Sequence, residues 1–178
     1  MDKLNDRNLP LNLKTFLTSG SLGNLSSHPT RHEVEYLLGA PNSVDKKLDI
    51  IPNQMLYVLH YDNLQITYIG EEFYQLAIYF RRYEKMESSD SLPNGLGVKW
   101  YQTVKEFDYE GFKQALLSEK IPCRGVISPY PTPQDGYTIE IISTGIWICF
   151  NSNPDSLIDS IFHTPSKPGN WQYIDIVS

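Results

Sequence analysis

The chain has few basic residues, few cysteines and no long hydrophobic run. Its 178 residues include 15 Lys or Arg against 21 Asp or Glu, which gives a net charge of -6. An acidic balance disfavours binding to a phosphate backbone, so we expect no nucleic-acid partner and favour a basic protein. No apolar run reaches the ~18 residues of a membrane-spanning helix, and residues 1–7 lack the basic start of a secretory signal. The prediction is a cytoplasmic protein without membrane contact.

Motifs for catalysis and for metal binding are also scarce. Cys123 and Cys149 lie in apolar, strand-like surroundings, which favours packed, reduced thiols over a disulfide or a nucleophile. His28 and His32 have the spacing of ligands on one helix, but Pro29 breaks that geometry. The sequence contains no serine elbow, phosphate-binding glycine loop or zinc-protease motif. We therefore expect no catalytic residue, metal or cofactor.

What the sequence does contain is a helix followed by strands, a pattern that occurs twice. A short helix around residues 8–17 comes first, ended by Gly20. Thr30 and Glu33 then have capping-box spacing at the start of a helix that ends at Gly39. Three apolar and aromatic runs follow at 54–61, 64–69 and 73–81, which predicts an antiparallel meander.

The second copy begins at Asp108, a predicted N-cap, and its helix ends before Pro122. Strands are predicted at 137–142, 146–150 and 157–163, and residues 98–104 are expected to form a strand or to cover a sheet edge. The two copies are offset by roughly eighty residues, the size of a small supersecondary unit. A polar segment separates them, so the predicted division is unit 1–82, linker 83–97 and unit 98–178. Whether the units share one sheet stays open.

These elements predict an α+β fold built of tandem helix-β-β-β units, with an antiparallel sheet and helices packed on one face. Alternation then places Gln65, Thr67, Trp147 and Cys149 on the face opposite the helices. A large apolar side chain on an outer face is typical of a contact site, and tyrosines are common in interfaces. The candidate protein-binding residues are Trp147, Tyr61, Gln65, Thr67 and Tyr130.

The segment Leu37-Leu38-Gly39-Ala40-Pro41, followed by a tyrosine-bearing strand and an alternating strand, resembles a known unit. It is similar to the helix-plus-sheet unit of the β-lactamase inhibitor protein and of small outer-membrane assembly lipoproteins. It also resembles small cytosolic proteins of bacterial toxin–immunity loci. The resemblance implies a sheet whose exposed face binds another protein, and it transfers no individual functional residue.

The leading hypothesis is a noncatalytic protein-binding module, specifically an immunity protein that binds and neutralises a basic bacterial toxin domain. One alternative is an enzyme or small-ligand-binding protein with a pocket between the two units, near His163 and Cys149. Another is a structural subunit of a complex.

Overall fold

The computed structural model describes residues 9–48, 54–80, 92–127, 137–150, 157–164 and 172–176. These segments form four α-helices, nine β-strands and a 3-10 turn at Asn94–Leu96. In chain order the elements are α1 (Leu11–Ser19), α2 (Arg31–Leu38), β1 (Ser43–Leu48), β2 (Met55–Tyr61), β3 (Leu64–Ile69), β4 (Glu72–Tyr79), α3 (Tyr101–Val104), α4 (Tyr109–Ser118), β5 (Cys123–Ile127), β6 (Thr138–Ile141), β7 (Ile146–Phe150), β8 (Ile158–His163) and β9 (Gln172–Asp175). The predicted α+β class is confirmed.

All nine strands belong to one antiparallel sheet with the order β1-β2-β3-β4-β8-β7-β6-β5-β9. The two predicted units meet in the middle of this sheet, where β4 pairs with β8 from Leu76↔His163 to Tyr79↔Ser160. The sheet therefore continues across the predicted boundary. Of the two arrangements that the sequence left open, the observed one is a single sheet shared by both units.

The repeat has one more strand per unit than the sequence indicates. Each unit is a helix followed by four strands, α2 with β1 to β4 and α4 with β5 to β8, arranged symmetrically about the β4–β8 pair. The predicted match of Leu64–Tyr68 with Ile146–Phe150 equates the third strands, β3 and β7. β9 has no counterpart and pairs with β5. The expectation of a strand at 98–104 is wrong, because this segment contains α3.

Local side-chain bonds explain where α2 and α4 begin. The Thr30 hydroxyl accepts a hydrogen bond from the Glu33 amide at 3.1 Å, and the Asp108 carboxylate accepts one from the Gly111 amide at 2.6 Å. Both predicted N-caps are thus confirmed. The Glu33 carboxylate does not complete a capping box, however. It accepts from the amide and hydroxyl of Ser26, both at 3.0 Å, and so fastens the preceding loop to α2.

The helices cover one face of the sheet, which we call the inner face. Buried side chains of α1, α2 and α4 belong to one hydrophobic cluster with the inner-face residues of both units. A row of fully buried isoleucines crosses the adjacent strands β4, β8, β7 and β6. Its members are Ile78, Ile161, Ile148 and Ile139. Burial of such apolar area is the main favourable term in folding, so the two units share one core.

Helix α1 comes before α2 and strands β1 to β4 in the chain but packs against elements of the second unit. Lys14 forms a 2.6 Å ion pair with Glu119 at the end of α4, and the Thr144 hydroxyl donates to the Leu17 carbonyl at 2.8 Å. The Phe16 ring lies 6.4 Å from the Trp100 ring and 6.5 Å from the His163 ring. Through these contacts α1 ties the N-terminal part of the chain to the C-terminal half.

Two glycines with nearly the same φ test how tightly the loop between α1 and α2 packs against the 3-10 turn. Gly23 has φ +62°, and a Cβ there would lie 1.9 Å from the Leu96 carbonyl oxygen. Gly70 has φ +61° and open space around it. We expect Gly70→Ala to cost about 1 kcal/mol for the strained φ, and Gly23→Ala to cost about 3 kcal/mol because the backbone must also move. Urea unfolding of both variants measures the difference, and equal losses would contradict the tight contact.

Candidate protein-binding surface

The outer face of the sheet, opposite the helices, can be followed strand by strand through direct cross-strand pairs. Residues that face each other across an antiparallel pair project to the same side. One such row runs through Ser43, His60, Gln65, Ala77, Phe162, Trp147, Glu140 and Arg124, from β1 to β5. Two residues that the sequence singled out, Gln65 and Trp147, therefore lie in one row with Ala77 and Phe162 between them.

The first-unit candidates on β3 lie where alternation predicts. Gln65 and Thr67 project outward, while Leu64 and Ile66 are buried in the core. Gln65 is partly exposed, and Thr67 retains only 8% of its accessible surface. Of the two side chains, Gln65 is the one that a partner can reach most readily.

Trp147 projects from the predicted face but is not exposed as expected. It stands opposite Phe162 on β8 and Glu140 on β6, whereas its neighbours Ile146 and Ile148 point into the core. Only 8% of Trp147 is accessible, so the expectation of a large exposed apolar side chain is wrong there. Alternation defines the face to which a side chain projects, and exposure depends on what else covers that face.

Tyr61 lies on the inner face and does not contribute to the outer surface. It is 3% exposed within the core cluster, and its hydroxyl donates to the Gly39 carbonyl at 3.1 Å. Burial is also the first cause of its raised pKa. Placing Tyr61 among candidates for direct partner contact therefore needs correction, because the ring joins β2 to the end of α2. The remaining candidate, Tyr130, lies outside the described residues.

An aromatic pair that the sequence analysis did not select occupies the centre of the outer face. The rings of Tyr79 on β4 and Phe162 on β8 meet edge to face, with centroids 5.9 Å apart and an interplanar angle of 87°. Both side chains are partly exposed. The direction in which each side chain projects could be predicted from alternation along its strand, but the pairing of β4 with β8 could not.

We call the outer-face side chains around this pair the seam surface: Gln65, Gln75, Ala77, Tyr79 and Phe162. It combines two aromatic rings with two amide side chains and a small residue. Aromatic groups that retain partial access are well suited to anchor a partner, because they bury much area at little cost in side-chain entropy.

Further along the same face, a buried carboxylate is held by a paired arginine. Glu140 has no accessible surface, and Arg124 Nε donates to its Oε2 at 2.6 Å. The guanidinium carbon of Arg124 lies 3.5 Å from the centre of the Tyr173 ring on β9. A buried charge requires this kind of partner. The second-unit side of the outer face is thus closely packed, whereas the seam surface retains partial access.

The pair proposed for an enzymatic alternative is divided by the sheet itself. His163 stands opposite Ile146 and points into the core, while Cys149 stands opposite Ser160 and points outward. Burial raises the pKa of the Cys149 thiol to about 11, so the nucleophilic thiolate is disfavoured at neutral pH. Cys123 and Cys149 are both free thiols. A pocket containing His163 and Cys149 side by side is therefore contradicted by the register.

Clusters of metal ligands and membrane-spanning helices are both absent from the described residues. No group of three or more His, Cys, Asp or Glu side chains comes together there with the geometry of a metal site. None of the helices found in this part of the chain has the length and apolar character needed to cross a bilayer.

Comparisons of this chain with models of protein families, with curated protein sequences and with solved structures find no match.

His163 is an unusual side chain for the position it occupies. It is 3% exposed between Leu76 and Ile146 on the inner face, and its Nδ1 has no hydrogen-bond partner among the described residues. Burial, and secondarily the nearby His28, lower its pKa to about 4. The folded state therefore holds this imidazole neutral well below the pH at which an unfolded chain protonates it.

The lowered pKa of His163 makes the folded protein less stable at low pH. As the pH falls from about 6.5 towards 4, the His163 imidazole binds a proton in the unfolded state but not in the native state. The free energy of unfolding therefore decreases by about 3 kcal/mol. His163→Leu should remove this loss, and His32→Gln, at an exposed position of α2, should retain it. Urea unfolding at pH 7.0 and pH 4.5 provides the measurement. An unchanged pH dependence in His163→Leu would show that other groups cause it.

Proposed function

We propose that this chain is a noncatalytic protein-binding module, and specifically an immunity protein that binds and neutralises a bacterial toxin. The observation that carries the proposal is the seam surface, with the partly exposed Tyr79 and Phe162 rings in edge-to-face contact on the face opposite the helices. Interfaces concentrate their binding energy in aromatic side chains of this kind, surrounded by residues that exclude water.

The position of the seam surface on paired strands supports the proposed role in protein binding. Tyr79 and Phe162 lie on the two central strands of a continuous sheet whose other face is fully packed, so little conformational entropy is lost when a partner binds. Gln65 and Gln75 add donors and acceptors at the border of the aromatic pair, on β3 and β4. Such amides can orient a partner without the desolvation cost of a charge.

The net charge of -6 favours a basic partner, because opposite charge accelerates encounter and disfavours acidic competitors. A toxin domain that acts on nucleic acid carries positive charge for its own substrate. An acidic protein that covers such a domain needs no chemistry of its own. A cytoplasmic location is part of the same proposal.

The test is co-expression with toxins encoded beside the gene for this chain. We expect a stoichiometric complex in size-exclusion chromatography with light scattering, and growth protection of the host. Gln65→Arg and Phe162→Ala should each weaken binding about tenfold or more, which corresponds to ~1.4 kcal/mol. Tyr36→Ala, which removes an 82% exposed tyrosine from α2 on the helix side, is the matched control and should bind normally.

Thermal unfolding of each variant confirms that its fold is intact before binding is compared. Failure of every neighbouring toxin to bind would contradict the immunity role. If both seam variants bound normally and Tyr36→Ala did not bind, the interface would lie on the helix side of the sheet and not on the seam surface.

A further inference from the structure

The loop between α1 and α2, residues 20–29, is packed against the inner face of the sheet, and we call it the lid. Its Leu22 and Leu25 belong to the hydrophobic core cluster and bond to each other through two backbone hydrogen bonds of 3.0 Å. The hydroxyl of Tyr68 on β3 donates to the Pro29 carbonyl at 2.9 Å. The lid therefore has a defined closed position.

The closed lid covers His163 at the end of the β4–β8 pairing. His163 stands opposite Leu76 there and is 3% exposed. A Cβ on Gly20 would lie 3.1 Å from its Cε1 and 3.3 Å from its Nε2, so the Gly20 backbone lies against one edge of the imidazole. The same Cβ would lie 3.1 Å from the Cβ of Ser27, which places the far end of the lid close beside this edge.

The neighbours of His163 offer no compensation for a positive charge. The side chains that face it from α1, β4 and β7 are all apolar, namely Phe16, Phe73, Leu76 and Ile146. From the lid it faces His28, an exposed residue whose ring lies 5.7 Å away. A positive charge on His28 disfavours a second one on His163. A protonated His163 beneath the closed lid would thus be a buried charge with no acidic partner among these groups.

Access of water to His163 changes this balance. An imidazole in water binds a proton near pH 6.5, whereas burial lowers the pKa of His163 to about 4. Between these values the closed lid excludes a proton that an opened state would bind. A fall in pH therefore stabilises any state that brings His163 into contact with water.

The lid can open without loss of the sheet. The Asn24 amide donates to the Leu96 carbonyl in the 3-10 turn at 3.2 Å, and Ser26 bonds to Glu33 on α2. These bonds, and the one from Tyr68, are not pairings between strands. Local opening of such a segment has a lower free energy than unfolding of the core strands, and the burial of Leu22 and Leu25 is the main term that opposes it.

We propose that residues 20–29 form an acid-sensitive lid, which opens when His163 takes up a proton while the nine-stranded sheet stays folded. Opening hydrates the imidazolium and removes Leu22 and Leu25 from the core. Protonation of both histidines also favours opening, because it places two positive charges side by side. The device lies on the face opposite the seam surface and does not depend on the proposed immunity role.

Hydrogen exchange of the full chain at pH 7.0 and pH 4.5 tests the proposal. The probes are the amides of Leu22 and Leu25, and amides of β3 and β7 serve as the reference. We expect the lid amides to be less protected than the reference at both pH values. After correction for intrinsic exchange rates, lid protection should fall about fiftyfold at pH 4.5, because an opened state binds the proton near pH 6.5 and the closed state near pH 4.

Variants assign the response to His163. His163→Leu should abolish the fall in lid protection, and His32→Gln, at an exposed position of α2, should retain it. His28→Gln should make the fall smaller, because it removes a charge that lowers the pKa of His163. Lid amides that are as protected as those of the sheet would show that the lid opens only on global unfolding, and this would overturn the proposal. Lid protection that is equal at the two pH values, or that falls equally in His163→Leu, would also overturn it.

Discussion

The pairing of β4 with β8 is the interaction on which the rest of the structure depends. It joins the two helix-plus-strand units into one sheet and so creates two continuous faces. On the inner face it aligns Ile78 with Ile161, so that the core passes from one unit to the other. On the outer face it brings Tyr79 beside Phe162. Without this pairing each unit would end in an open edge strand with unpaired backbone groups.

Features that depend on local chain geometry could be predicted from the sequence. Alternation gave the outward direction of Gln65 and Trp147, because the pleat of a strand involves only neighbouring residues. Strand β1 escaped prediction because Lys46 and Lys47 interrupt the apolar pattern of an edge strand. The aromatic run at Trp100 suggested a strand. Trp100 is instead the N-cap residue of the short helix α3, and its ring packs on Phe16 and Phe80. Strand order and exposure are long-range properties, so the pairing of Tyr79 with Phe162 and the burial of Trp147 could not be read from alternation.

The two sides of the sheet offer different chemistry to a ligand. The outer side presents aromatic rings and neutral amides on rigid strands, which suits a broad protein contact. The helix side holds two buried polar atoms, Trp100 Nε1 and His163 Nδ1, that have no hydrogen-bond partner among the described residues. Phe16 is a link between the polar groups of the helix side, since its ring contacts both Trp100 and the buried His163. Helix α1 therefore contacts both of these buried side chains through a single ring.

The β4–β8 pairing also has a consequence for the order of folding. It brings together residues 81 to 87 positions apart in the chain, whereas the β2–β3 and β6–β7 pairings are closed by short turns. Closing a long loop costs more entropy and is slower than forming local hairpins, so the central pairing is expected to form late. The Tyr79–Phe162 contact then exists only in chains that have completed assembly. A chain whose two meanders had formed separately would retain most of its hydrogen bonds and still lack the seam surface. Under the proposed function, such a chain would become able to bind only at the final folding step.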